Sequence, residues 1–445
     1  MTPPSQSQEP GNETLAKRFL PVLVGAFIGI SFLKFGNPPI LEKYNASPGN
    51  LYEILFSYPW PIGWGYALLI LTGLVGLGAA IRTIRPPHWT ALLPLAWLGW
   101  VFISSLSSID HELSSATLKH FTATVACFYL GFFALSRARR FTAFWAFIFI
   151  SFCFVLAAGW QQHFGGLEQT RQYFLTYVYP EHPDVPVEYL KKITSTRIFG
   201  TLFYPNTLAG FLLLILPVLL TVTWRAETRF TQGARIFLVA CIAAGGLACL
   251  FWSGSKGGWL LMLLLGGIGV LRLNFARQAK IVIVCAALVL GLAGFFYKYA
   301  GFFRKGATSV VARFDYWEAA GKTAFKNPWT GTGPGTFSVS YRAIKRPESE
   351  MARLAHNDYV QQASDCGFPA AILYLAFIGI GLRRSWLIAR QHPMDFALWL
   401  GVLGWALQSA IEFNLYIPAL AWTSFIFLGW LWGRQDALRP AKANV

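Results

Sequence analysis

Charge is what this sequence has least of. Only 13% of its 445 residues are Asp, Glu, Lys or Arg, about half the share found in a typical soluble domain. That deficit excludes an ordinary water-soluble protein of this length. Acidic residues are the scarcer sign, 20 against 37 basic ones, for a formal net charge of +17. Such an excess points to nucleic acid when a soluble domain gathers it on one face. Here the basic residues stand between apolar runs, so membrane topology explains them better. Cysteine is sparse as well. The six (127, 153, 241, 249, 285 and 366) fall mostly inside apolar segments, lack metal-ligand spacing and suggest no disulfide framework. They read as small core residues. There is no internal repeat and no separate soluble stretch.

What is abundant is apolar surface. Hydrophobic residues make up 55% of the chain, with 38 Phe and 18 Trp, and the mean hydropathy is +0.46. Aromatic rings cover apolar area and anchor helix ends at the membrane interface. Runs near the roughly 20 residues needed to cross a bilayer recur along the sequence. They lie at about 19–34, 62–81, 89–107, 117–136, 141–160, 203–224, 233–252, 257–272, 279–297, 367–384, 396–414 and 416–433. The first follows Lys17-Arg18 and is not followed by a small-residue cleavage site, so it reads as a retained anchor rather than a signal peptide.

The loops test this count. With a cytoplasmic N-terminus, every even-numbered helix ends in the cytoplasm. Those ends carry Arg82 and Arg85; Arg137, Arg139 and Arg140; and Arg225, Arg229 and Arg235. They continue with Arg272, Arg277 and Lys280; Arg383, Arg384 and Arg390; and Arg434, Arg439 and Lys442. The alternation is the one the positive-inside rule requires, and a missed helix would invert everything after it. The expectation is therefore an all-α integral membrane protein of about 12 transmembrane helices, with both termini cytoplasmic. Its parts are a tail at 1–18, nine helices over 19–297 with an outer loop at 161–202, a large outer loop at 298–366, three helices over 367–433 and a tail at 434–445. Both long outer loops are expected to contain short amphipathic helices, and function is expected on their side.

The second long loop is the more informative. "ARFDYWEAAGKTAFK" (312–326) sets Phe314, Trp317 and Ala320–Gly321 at helical spacing, and Glu318 and Lys322 form a favourable i,i+4 pair. An amphipathic helix against the outer leaflet fits. "NPWTGTGPGTF" (327–337) is a turn passable only by tight bends, not a dinucleotide fingerprint, since no strand precedes it. "MARLAHNDYVQQASDCGFP" (351–369) reads as a helix with His356, Tyr359, Val360 and Ala363 on one face, ended by Gly367 and Pro369.

These stretches resemble the signature region of the O-antigen ligase/polymerase superfamily, membrane glycosyltransferases acting on polyprenyl-pyrophosphate-linked glycans. The resemblance rests on an ordered set. Arg313-x-x-x-Trp317 comes first, then Gly331-x-Gly333-x-Gly335, then His356-Asn357-x-Tyr359 with Gly367 beyond. "TRIFGTLFYPNTLAGFLLLILP" (196–217) resembles the family's Arg-x-x-Gly and Pro-Asn-x-x-Ala segment. "SGSKGGWL" (253–260) resembles its Ser-Arg-Gly segment, with Lys256 where Arg is usual, which keeps the charge but loses the bidentate fork. The likeness covers about 196–385; the first five helices match only in general character. It implies a multi-pass protein of the bacterial inner membrane. Its donor would be an undecaprenyl-pyrophosphate-linked glycan and its acceptor a glycolipid such as a lipid A core, or another glycan.

The resemblance also implies roles. His356 would deprotonate or position the acceptor hydroxyl, as an imidazole can near neutral pH; the bland alternative is a surface histidine capping a juxtamembrane helix. Arg197 and Arg313 would hold the pyrophosphate, whose oxygens a guanidinium matches in a plane. Their alternatives are headgroup snorkelling and a salt bridge on the amphipathic helix. Lys256 would draw in the anionic donor. Asn206, Asn357 and Tyr359, with Tyr204 and Asp358, are candidates for sugar hydroxyls, and helix capping accounts for them nearly as well. Asp110 and Glu112, around His111, admit a metal-binding reading from another transferase class, but the expectation is no metal and no cofactor. A secondary transporter is the rival from another class. It would place ionisable residues near the midplane, whereas the polar residues here gather in the loops.

Overall fold

The computed structural model describes residues 15–44, 47–56, 59–81, 87–180, 194–304, 308–347 and 349–437. Within them every regular element is helical. The longer helices are α1 (Leu15–Lys34), α2 (Ile62–Ala80), α3 (Leu93–Leu106), α4 (His111–Tyr129) and α5 (Thr142–Gln161). Then come α6 (Pro205–Trp224), α7 (Gln232–Ser253), α8 (Lys256–Arg272), α9 (Arg277–Arg304) and α10 (Thr308–Lys326). The last are α11 (Phe337–Ile344), α12 (Asp358–Ala389), α13 (Pro393–Gln408) and α14 (Pro418–Ala437).

Nine helices among the described residues are long and apolar enough to cross a membrane. The expected count of about 12 exceeds these nine by three, and the three have physical reasons for falling short. At 17 and 16 residues, α8 and α13 are shorter than the roughly 20 a bilayer asks of a straight span. The third, α14, is long enough but less apolar, because it meets protein rather than lipid. Every residue from Pro418 to Gly433 is buried. The helix runs through the middle of the bundle against α4, α12 and α13. Its closest approach is to the wide turn Leu130–Ala134 that continues α4, where a Cβ on Gly429 would lie 2.0 Å from the Phe128 carbonyl oxygen and one on Gly131 2.2 Å from that of Ile426. Small residues let two backbones meet this way in a membrane bundle.

Helix ends follow local signals. Asp110 caps α4 by accepting from the Leu113 N–H at 3.0 Å, so half of the acidic pair near His111 has a capping role. Ser255 caps α8, and Gly254, at φ +63, closes α7 in the left-handed conformation. Three expected boundaries move. The helix at 351–369 begins only at Asp358, where the Asn357 side chain accepts from the Tyr359 and Val360 N–H groups at 3.1 Å. It passes Gly367 (φ +80) with a break and runs on to Ala389 as one element. The span expected at 396–414 stops at Gln408, and the chain is irregular until α14, apart from a short turn at Asn414–Tyr416. The loop expected from 161 first continues α5 as helical turns to Val178, broken at Gly165 (φ +119); residues 181–193 of it lie outside the described residues. So do Arg82, Arg85, Arg439 and Lys442, and most of both tails.

The bundle has two chemically different ends. At one, Arg229 bonds Thr142 Oγ1 at 2.8 Å, Arg272 bonds the Arg390 carbonyl at 2.5 Å and Arg434 bonds Asp395 at 2.6 Å, which ties the short basic loops together. At the other meet the starts of α6, α8, α10, α12 and α14 with the ends of α7, α9 and α13. The contacts that bring them together form the candidate site.

Candidate functional site

Three separate stretches of sequence converge at that second end. Arg197 lies in the connection before α6. Its Nε donates to the Ser253 carbonyl at 2.7 Å, at the end of α7, and its Nη2 donates to Asn206 Oδ1 at 2.8 Å, in the first turn of α6. Asn206 passes the contact on, its Nδ2 donating to Glu412 Oε1 at 2.5 Å. Arg313, in the first turns of α10, forms an ion pair with the same oxygen. His356 Nδ1 stands 3.0 Å from the other one, Oε2.

Glu412 was not among the residues the sequence singled out, yet it is the hub. It lies in the irregular stretch between α13 and α14, with its side chain only 6% exposed. A signal was present: it is the single acid in an apolar stretch taken as a membrane helix, and an ionisable residue in such a place is a functional candidate by default. Burial alone would raise its carboxyl. The contact with His356 and the guanidiniums of Arg313 and Arg197 together outweigh burial and hold it below the ordinary glutamate value, so it is ionised. Arg197 shows the converse: burial lowers its guanidinium from the usual value, and Glu412 acts to raise it again.

His356 is fixed from several sides. Its ring stacks on Tyr316 at 5.9 Å and meets Phe413 edge-on at 4.7 Å, while Trp317 Nε1 donates to its carbonyl at 3.4 Å. The backbone is left-handed, φ +52, a conformation that L side chains seldom adopt outside functional sites. Arg313 keeps donors to spare. Its Nε is buried and has no hydrogen-bond partner among the described residues. A buried N–H left in this state costs free energy until it meets an acceptor.

Other predicted residues are placed differently. Lys256 heads α8 with its ammonium 3.8 Å from the centre of the Phe302 ring and 4.9 Å from that of Tyr299. Asn357 spends its carbonyl oxygen on the cap of α12. The Tyr359 hydroxyl donates to the Ala406 carbonyl at 2.8 Å, inside the bundle. Tyr204 meets Phe413 edge-on at 5.4 Å, and Asp358 accepts from the Leu415 N–H at 2.8 Å. The glycine turn is an anchor rather than a cradle. Gly331, Gly333 and Gly335 all have positive φ, and Gly335 N–H donates to Asp365 at 3.0 Å. A Cβ on Gly333 would sit 2.2 Å from Ser108 Oγ, so only glycine lets the turn seat itself between α3, α4 and α12. The amphipathic helix α10 packs on α12, and its Tyr316, Ala319 and Ala320 cluster with Phe337 and Tyr341 of α11, while Phe314 stays exposed.

Comparison with known families bears on this arrangement directly, since residues 242–375 match the family described as O-antigen ligase. This region belongs to the O-antigen ligase superfamily. No curated protein matches the chain. The matched region runs from within α7 to within α12 and contains Lys256, Arg313, the glycine turn and His356; Arg197, Asn206 and Glu412 lie outside it. With the nine apolar helices, the match describes a membrane protein that carries a region similar to the O-antigen ligases.

Proposed function

We propose that the protein is an O-antigen ligase-like glycosyltransferase that moves a glycan from undecaprenyl pyrophosphate to an acceptor hydroxyl on the periplasmic face of a bacterial inner membrane. The observation that carries this reading is the convergence of Arg197, Arg313 and His356, from three distant segments, on one cluster at one end of the helix bundle. In this reading the nine apolar helices cross the membrane together with α8, α13 and α14, twelve crossings in all, and both termini lie with the basic loops in the cytoplasm, as the positive-inside rule favours.

The step is a single displacement. The acceptor oxygen bonds to the anomeric carbon as the bond to the pyrophosphate oxygen breaks, inverting the configuration. The acceptor's proton passes to His356 Nε2 and then to water, and undecaprenyl pyrophosphate leaves with the bonding electron pair. A diphosphate gains negative charge as it departs. Arg197 and Arg313 are the groups to stabilise that charge, and the unpartnered Arg313 Nε is a donor ready for one of its oxygens. Lys256 adds positive charge beside them. Asn206 positions Arg197, and Asn357 supports the site as the cap before α12. In this reading the guanidiniums take the place that a divalent cation fills in other transferases.

Glycan polymerisation and transfer to a protein hydroxyl use the same chemistry and are the nearest alternatives. A secondary transporter fits less well, because Arg197, Arg313, His356 and Glu412 gather at the ends of helices and not along a midplane path. The test is a chromosomal knockout complemented with wild type, His356→Ala or Arg313→Ala, followed by analysis of surface glycans. Loss of attachment with retained lipid-linked polymer identifies a ligase, and shortened chains identify a polymerase. Normal glycans with both variants reject the enzyme.

A further inference from the structure

We propose that Glu412 is the positioning residue of this site: its carboxylate fixes His356 with Nδ1 protonated and Nε2 bare, and holds Arg313 and Asn206 in register with it. The inference rests on the glycan-transfer reading for its chemical consequence, and on geometry alone for the tautomer.

The geometry is over-determined. Glu412 sits on backbone that has left α13 and not yet entered α14, and that backbone is pinned at both ends. The Asp358 N–H donates to the Ser409 carbonyl at 2.8 Å, and the Leu415 N–H donates back to Asp358 Oδ2 at 2.8 Å. On the other side His120 Nε2 bonds the Leu415 carbonyl at 2.8 Å. The carboxylate therefore has little freedom, and three partners divide its two oxygens. Oε1 receives Arg313 and Asn206, and Oε2 receives His356 Nδ1.

An ionised carboxylate can only accept hydrogen bonds, so the proton of this contact is carried by Nδ1. A neutral ring protonated there has its lone pair at Nε2. The stacking of Tyr316 and the edge of Phe413 hold the ring plane, leaving that nitrogen as its open polar edge. When Nε2 takes the acceptor's proton, the imidazolium forms beside a fixed negative charge. The carboxylate thus sets the tautomer before the reaction and stabilises the charge made during it, a division of labour that recurs wherever a base histidine is backed by an acid. Because Oε1 also holds Arg313, the base and the leaving-group clamp keep a constant separation.

The test uses the full-length protein in lipid nanodiscs. Nitrogen-15 spectra of labelled histidine at alkaline pH, with the His356 signals assigned by their loss in His356→Asn, report the tautomer. Wild type should show Nδ1 protonated and Nε2 bare. In Glu412→Gln the amide nitrogen faces the ring and donates to it, so the protonated nitrogen should switch to Nε2. Binding of undecaprenyl pyrophosphate, used as the probe, should change by less than about threefold, while glycan transfer should fall by up to about 10⁴-fold, as wrong-tautomer substitutions do elsewhere. Glu412→Asp, which keeps the charge, should restore the wild-type tautomer. Wild-type spectra with Nε2 protonated would overturn the inference whether or not the variants fold, and so would an unchanged tautomer in Glu412→Gln. Failure of undecaprenyl pyrophosphate to bind wild type would instead sink the transferase reading and leave the tautomer result standing.

Discussion

His356 holds a left-handed backbone, φ +52, at a cost of about 1–3 kcal/mol for a residue with a side chain. Asparagine tolerates that conformation better than most residues and can still donate to Glu412, but it cannot accept a proton. His356→Asn should therefore fold with a thermal midpoint close to wild type and lose about 10²-fold or more in transfer. A collapse of stability instead would make the histidine chiefly structural. At Arg313 the charge alone is insufficient: Arg313→Lys keeps the cation and loses the donors that reach Glu412 and the phosphate. Loss of one such charged hydrogen bond, about 1.5–3 kcal/mol, should lower transfer by roughly 10–100-fold in a lipid-linked glycan assay. Glu412 predicts a pH dependence. Its carboxyl is held below 4.5, its ordinary value, so its contribution to stability is complete above about that pH and is lost as pH falls through the lower folded-state value. The gap in thermal midpoint between wild type and Glu412→Gln should be full at neutral pH and close under acid; a gap independent of pH would mean the group is not ionised. Arg197, Arg313 and His356 were legible because they stand in recognisable local patterns. Glu412 was not, since its meaning comes from partners distant in sequence, and its own surroundings read as lipid-facing helix.

At the level of elements the same contrast appears in where helices begin. The 351–369 stretch has helical spacing throughout, but a polar side chain that caps can outcompete periodicity, and Asn357 does so, leaving His356 outside the helix where its ring turns to Glu412. At 409–417 the apolar composition continues while the helix does not, because Asp358 and His120 satisfy backbone groups there that a helix would otherwise bond internally. The central helix α14 could have been recognised from Gly429-x-x-x-Gly433, a spacing that brings membrane helices into close contact. It gives a sharp comparison. In Gly429→Val the new side chain meets fixed backbone, since even a Cβ would lie 2.0 Å from the Phe128 oxygen, whereas Gly73 has nothing within 4 Å. Overpacking of this kind costs about 1–3 kcal/mol or more. Gly429→Val should lower the thermal midpoint and the monodisperse fraction in detergent, while Gly73→Val should leave both near wild type; equal behaviour would remove the close crossing.

At the scale of the whole molecule, the fold follows from one repeated rule, that basic residues close the loops at one end. Arg229 bonds the start of α5, and Arg272 and Arg434 bond the junction of α12 with α13, so the charges taken to set the topology also stitch that end. The candidate site lies at the opposite end because α6 to α9 and α12 to α14 alternate in direction, a fact available from the loops before any side chain is placed. Which end faces the cytoplasm is then a question of sign alone, and it can be measured. Lys322, on α10, and Gln391, between α12 and α13, are both exposed and stand at opposite ends of the bundle. Cys153, Cys241 and Cys285, the exposed native thiols, lie within helices long and apolar enough to span, away from water if the bundle is embedded as proposed. In intact spheroplasts, a membrane-impermeant maleimide should label Lys322→Cys at once and Gln391→Cys only after the membrane is opened. The reverse pattern would turn the molecule over and put Arg197, Arg313 and His356 in the cytoplasm, where a periplasmic acceptor could not reach them. Labelling of both positions in closed spheroplasts would mean an odd number of crossings is missing between them, and the twelve-helix reading would fall with it.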